Sequence, residues 1–178
     1  MSLLVAALIS TNVIAALGQA LDSDADWTMT RTIRGANRPL ESAGTVSCRR
    51  GEGITWTVLS PFDSSVTMTT NAMVFADEDG VRTKGLAELP HYARIRQAAD
   101  AFAAGDAAAL KGVFKVESED FPDGGWRLRL TPEIKAMRRL AQEVVITGSA
   151  QPTNVVMTCG DGGRSVITFR KRERGREE

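Results

Sequence analysis

Residues 44–62, GTVSCRRGEGITWTVLSPF, constrain the chain more than any other stretch. Side chains alternate along a strand. Val46, Cys48 and Arg50 therefore fall on one face of a first strand, and Ile54, Trp56 and Val58 on one face of a second. Gly51 and Gly53 mark the turn between them, where a positive φ is tolerated. Pro61 ends the second strand because it cannot donate to a ladder. The product is a hairpin whose apolar face ends in a tryptophan, with arginines at one end. Such a face needs cover. A chain of 178 residues with 43% hydrophobic content is enough for one domain with a substantial core.

The same alternation recurs on both sides of this hairpin. WTMTRTI, residues 27–33, sets Trp27, Met29 and Ile33 against three threonines, and Arg31 interrupts the apolar face. Val66 and Met68 share a face after Ser64, and Met73 and Phe75 continue the pattern beyond Asn71. Brief polar turns separate these segments, which reads as an antiparallel meander rather than βαβ units. The pattern changes after residue 86. Tyr92, Ile95, Ala99 and Phe102 recur at helical spacing over 90–104, and Asp106 caps a second short helix to Leu110. Strands resume at Val113–Ser118, with Phe114 in the first. In the next, Trp126, Leu128 and Leu130 alternate with arginines. Thr131-Pro132-Glu133 starts a short helix to Gln142, and strands over 143–147, 153–159 and 165–169 close the sheet. The charge run RKRERGREE reads as a frayed tail.

At the start, Val13, Ile14, Leu17 and Leu21 predict a helix over 10–22. Residues 1–9 are either the remnant of a signal peptide or an extension of that helix. The apolar run 3–9 has no Lys or Arg before it and is shorter than the ~20 residues of a membrane span. The expected division is thus 1–9, a single domain over 10–170, and a tail over 171–178. The expected fold class is α+β: a curled antiparallel sheet of about ten strands, with helices 10–22 and 90–112 available as a lid. Sheets of this size curl because strand twist accumulates. A curled sheet with helices over its concave face encloses an apolar cavity.

Composition removes several function classes. Equal numbers of basic and acidic residues, 22 of each, argue against a general nucleic-acid binder. One histidine, His91, disfavours a His-based metal site or a catalytic triad, and the two cysteines match no metal spacing. No Gly-rich loop joins a strand to a helix, so no phosphate cradle is visible. The acidic clusters at 77–79 and 117–120 read as surface loops. We therefore expect no enzyme, no cofactor and no metal. Cys48 and Cys159 are either buried thiols or, in an oxidising compartment, a disulfide.

The ordered set of features resembles the periplasmic outer-membrane lipoprotein carrier (LolA-like) family. It comprises an N-terminal helix, the strand WTMTRTI, the strand 44–50 with glycine at its head, Trp56 followed by SPFDSSVTM, then WRLRLTP and the hairpin GDGGRSVITF. The resemblance spans roughly residues 12–170. It implies an incomplete antiparallel barrel with a helical lid, located in the periplasm. It also implies a carrier that holds lipoprotein acyl chains or other lipid and passes them towards the outer membrane. An inner-membrane exporter and an outer-membrane receptor follow as partners, with a monomeric carrier and no nucleic acid. Arg50 falls where the family carries an arginine that holds the lid by hydrogen bonds; the other reading of Arg50 is a solvated turn residue. The residues this reading assigns to lipid are Trp27, Met29, Val46, Arg50, Trp56, Val58, Phe62 and Met68, and further along Met73, Phe75, Ile95, Phe102, Phe114, Trp126 and Leu128. Core packing accounts for each tryptophan taken alone more simply than ligand contact does, and the methionines suit either a plastic core or an adaptable cavity. The alternative function is a periplasmic interaction module or chaperone-like protein with a solid core.

Overall fold

The computed structural model describes residues 24–49, 52–69, 71–85, 88, 110, 112–139 and 141–172. The alternating segments become eleven strands: β1 (Asp24–Thr32), β2 (Leu40–Arg49), β3 (Gly53–Ser60), β4 (Ser64–Met68), β5 (Ala72–Asp77), β6 (Gly80–Gly85), β7 (Phe114–Asp120), β8 (Trp126–Pro132), β9 (Ala141–Gly148), β10 (Pro152–Cys159) and β11 (Arg164–Lys171). One helical turn, α1 (Lys135–Arg138), lies between β8 and β9.

All eleven strands form one sheet in the order β6-β5-β4-β3-β2-β1-β11-β10-β9-β8-β7. Two meanders thus meet where the first strand pairs with the last, antiparallel, with Trp27 opposite Phe169 and Met29 opposite Ile167. Neither edge strand pairs with the other, so the sheet is open. The chain leaves it at one edge, β6, and re-enters at the other, β7.

Residues opposite one another in antiparallel strands share a face. Following the register from Trp27 places nearly all the large apolar side chains on one face. Ala25, Val46 and Trp56 align across β1, β2 and β3, and Val66 and Phe75 continue the row. In the other direction Ile167, Val155, Ile146 and Leu128 form a second row. The opposite face carries Thr28, Thr30, Thr55, Thr67, Arg127 and Arg129. Ion pairs lace its outer strands: Arg127 with Glu119 at 3.1 Å and Lys115 with Glu117 at 2.8 Å.

The structure corrects the expected α+β class. The described residues are nearly all antiparallel sheet, with a single four-residue helix. The sheet has eleven strands, not about ten. The addition is β6, whose GVRTKG offers no apolar alternation; its backbone ladder to β5, not side-chain burial, makes it a strand. An exposed, charged edge strand of this kind resists further pairing. The late helix to Gln142 shrinks because β8 runs through Pro132 and β9 begins at Ala141. The remaining link is tied back by Arg138, whose Nε donates to the Pro132 carbonyl at 2.8 Å. No helical lid stands over the sheet among the described residues. The segments to which the sequence assigned it, 10–22 and most of 90–112, lie outside them.

Candidate functional site

The apolar face is covered unevenly. At the β8 end it is sealed: Trp126, Leu128 and Leu130 are buried under Leu110 and Val113, with Ile134 and Met137 packed beside them. The indole N–H of Trp126 donates to the Ser149 carbonyl at 2.6 Å. From β9 across to β5 most of the same face is only half-buried, although Trp27, Cys159 and Ser165 within it are buried. Val144, Ile146, Val155 and Met157 on one side, and Val46, Ile54, Trp56, Val66, Met68, Met73 and Phe75 on the other, all retain partial exposure.

The aromatic residues lean together in the middle of this face. Trp27 on β1 stacks on Trp56 on β3, with ring centroids 4.7 Å apart and planes 26° from parallel. Trp56 in turn meets Phe169 of β11 edge-on at 5.9 Å. Gly44 makes the first contact possible. It lies opposite Trp27 in the register, and a Cβ built there would sit 2.8 Å from Trp27 Cζ2 and 1.9 Å from the Thr57 carbonyl oxygen. The indole therefore crosses β2 over bare backbone. Trp126 repeats the arrangement over Gly148, where an added Cβ would again sit 2.8 Å from the indole Cζ2. An aromatic ring laid over a cross-strand glycine covers backbone that would otherwise be bare.

Of the residues assigned to lipid from the sequence, Trp27, Met29, Val46, Trp56, Met68, Met73 and Phe75 fall on this face, as does Val58 through Gly44. Trp126 and Leu128 lie in the sealed cluster, and Phe114 packs against it. Phe62 is in the β3–β4 turn and 78% exposed. With Val58, Leu59, Asp63, Asp77, Glu78 and Asp79 it lines a groove of about 870 Å³ at the sheet's rim. Arg50, Ile95 and Phe102 lie outside the described residues. The sequence assignment missed Val66, Val155, Met157, Ile146, Ile167 and Phe169. Each sits in an alternating strand, and that alternation was the available signal, but only the register shows that these strands share a face with Trp27.

Few charged groups share the face: Arg31 interrupts it on β1, and Arg82 and Lys84 lie opposite Phe75 and Met73 at its β6 edge. Asp161 in the β10–β11 turn accepts from the Gly163 backbone N–H at 2.8 Å and pairs with Arg31 at 3.2 Å. The Gly163 N–H first, and the Arg31 guanidinium after it, hold its carboxyl below the usual carboxylate value. The Lys115 ammonium likewise lowers Glu117 on the opposite face. No disulfide joins Cys48 and Cys159; Cys159 is buried against Ser165 at 3.7 Å. Among the described residues no cluster of His, Cys, Asp and Glu could hold a metal ion, and no helix is long and apolar enough to cross a membrane.

A broad antiparallel sheet with one continuous apolar face, sealed at one end and half-open elsewhere, is a lipoprotein-carrier-like binding fold. The chain belongs to the family described as outer membrane lipoprotein carrier protein LolA-like, whose profile matches residues 5–167. Among solved structures it is similar to a LolA superfamily protein from Nitrosomonas europaea, at 12% identity and a TM-score of 0.47, covering 91% of this chain and 92% of that one. It is also similar to a putative outer membrane lipoprotein-sorting protein domain from Vibrio parahaemolyticus, at 14% identity and a TM-score of 0.40, covering 93% of each. A third likeness is to the Pseudomonas aeruginosa MucA/MucB complex, at 10% identity and a TM-score of 0.46, covering 91% of this chain and 56% of that one. No curated protein matches the chain.

Proposed function

We propose that this protein is a periplasmic carrier that binds the acyl chains of lipoproteins or other lipids on its apolar sheet face and passes them towards the outer membrane. The observation that carries the reading is the half-buried band from β9 to β5, floored by Trp56, Phe75, Met68 and Met73. A water-soluble fold closes such a band when it is only a core; an incompletely covered band offers apolar area to a ligand. Burial of an acyl chain there supplies the driving force, at about 25 cal/mol per Å² of apolar surface. Family membership favours a lipoprotein cargo, with an inner-membrane exporter as donor and an outer-membrane receptor as acceptor. Methionines suit cargo of variable chain length, because their side chains adapt to irregular gaps.

The test is to purify the protein under native conditions and extract it for mass spectrometry of bound lipid, with titration by the apolar dye N-phenyl-1-naphthylamine alongside. Co-purified acyl lipid or saturable dye binding is expected. Absence of both overturns the reading in favour of a solid-core interaction module.

A further inference from the structure

Two apolar rows cross the first meander, and each ends at the β6 edge in a cation. Val46, Trp56, Val66 and Phe75 lead to Arg82. Cys48, Ile54, Met68 and Met73 lead to Lys84 in the same way. Register alone puts these two cations on the apolar side, because β6 has no apolar alternation of its own. The opposite edge differs. There β7 gives this face Phe114, Val116, Ser118 and Asp120, and no cation.

The two cations at β6 are not equivalent. Arg82 is paired with Asp77, which stands on the same face. That carboxylate matches the guanidinium and repels a second anion. Lys84 is exposed, and no ion pair engages it among the described residues. The residues of its row, Cys48, Ile54, Met68 and Met73, are all half-buried. From β2 to β6 the row crosses four strand spacings, about 19 Å in all, a span that a long acyl chain fills when extended. An ionic head resists burial, so it stays at the solvent edge while the chain lies inward. Lysine suits that edge. Its stem is apolar and flexible, and its charge is a compact, strongly hydrated ammonium with three donors.

We propose that Lys84 receives the anionic head of a single-chain acyl ligand, a carboxylate or a phosphate monoester, whose chain lies along Met73, Met68, Ile54 and Cys48. Oxygen anions of both kinds accept charge-assisted hydrogen bonds from an ammonium. This inference rests on the carrier reading and adds a direction to it: head at β6, chain towards β2. It also gives the charge on β6 a use besides blocking edge pairing.

The test is displacement of N-phenyl-1-naphthylamine by tetradecanoate, tetradecyl phosphate and tetradecan-1-ol, which share one chain length. Each anion should displace the dye at roughly fivefold lower concentration than the alcohol, the yield of one partly exposed ion pair. Raising the ionic strength should shrink that advantage. Lys84→Gln should abolish it. Lys171→Gln, which removes a cation opposite Ala25 at the other end of the Val46 row, should leave it intact. Either anion alone showing the advantage upholds the site, and the stronger of the two names the head. Dye binding with no advantage for either anion, or an advantage that survives Lys84→Gln, overturns the head site and leaves the carrier reading standing; the charge on β6 then only guards the edge. An equal loss in Lys171→Gln also overturns it, because the attraction then belongs to the surface as a whole. Failure of the dye and of all three ligands to bind overturns both readings.

Discussion

Replacing Gly44 by alanine tests whether the aromatic centre of the face is seated as described. The added Cβ would lie 1.9 Å from the Thr57 carbonyl oxygen, where ordinary contact begins at 3.4 Å, so the β3 backbone must retreat by up to 1.5 Å. Thr57 lies opposite Thr45 in the β2–β3 ladder, so the retreat stretches that ladder. The same Cβ would stand 2.8 Å from Trp27 Cζ2 and would lift the indole off Trp56. Overpacking costs about 1–3 kcal/mol, a lost aromatic stack about 0.5–1.5 kcal/mol, and a weakened ladder bond about 1 kcal/mol. A destabilisation of about 3 kcal/mol is expected, which for a chain of this length lowers the melting temperature by roughly 6–12 °C. Gly85→Ala is the control, because its nearest neighbour is Glu88 Oε1 at 4.0 Å; it should change stability by less than about 0.5 kcal/mol. Urea unfolding followed by tryptophan fluorescence reads both. If Gly44→Ala unfolds with the midpoint of the wild type, Trp27 does not rest on Gly44 and the description of the face is wrong.

Phe75→Ser on the apolar face should weaken N-phenyl-1-naphthylamine binding roughly tenfold through lost apolar contact, whereas Phe62→Ser in the exposed β3–β4 turn should leave it unchanged. Equal losses at both positions would move the binding site to the rim groove. Trp126→Phe removes the 2.6 Å bond to Ser149 and opens a gap in the sealed cluster; a loss of about 1–3 kcal/mol in urea unfolding is expected. Asp161 holds its proton less tightly folded than unfolded, chiefly because of the Gly163 N–H and then Arg31. Its contribution to stability is therefore complete above the ordinary carboxylate value and is lost as the pH falls through and below it. Asp161→Asn should lower the melting temperature at pH 7, and the gap to wild type should close in acid; a pH-independent gap would refute the assignment.

Much of the sheet was legible in the sequence because strand alternation is local. The strands around Trp27, Trp56, Phe75, Trp126 and Val155 are each marked by their own two-residue period, and Gly53, with φ of 119°, opens β3 directly after the turn its glycine helps to mark. The turn at Asp161-Gly162-Gly163 was equally visible. What escaped local reading was β6, whose strand character comes from backbone pairing to β5 without an apolar face. The late helix escaped for the opposite reason. Thr131-Pro132-Glu133 is a sound helix start, yet the β8 and β9 ladders compete for the same residues, and ladder formation leaves room for one turn. The sequence by itself determined which side chains alternate, where the turns fall and that basic and acidic residues balance. Only the tertiary structure decided that β1 and β11, some 130 residues apart, pair at the centre of the sheet, for example Arg31 with Ser165. That pairing joins the apolar rows of the two meanders into one face. Register is a property of two strands together, and no period within either one records it.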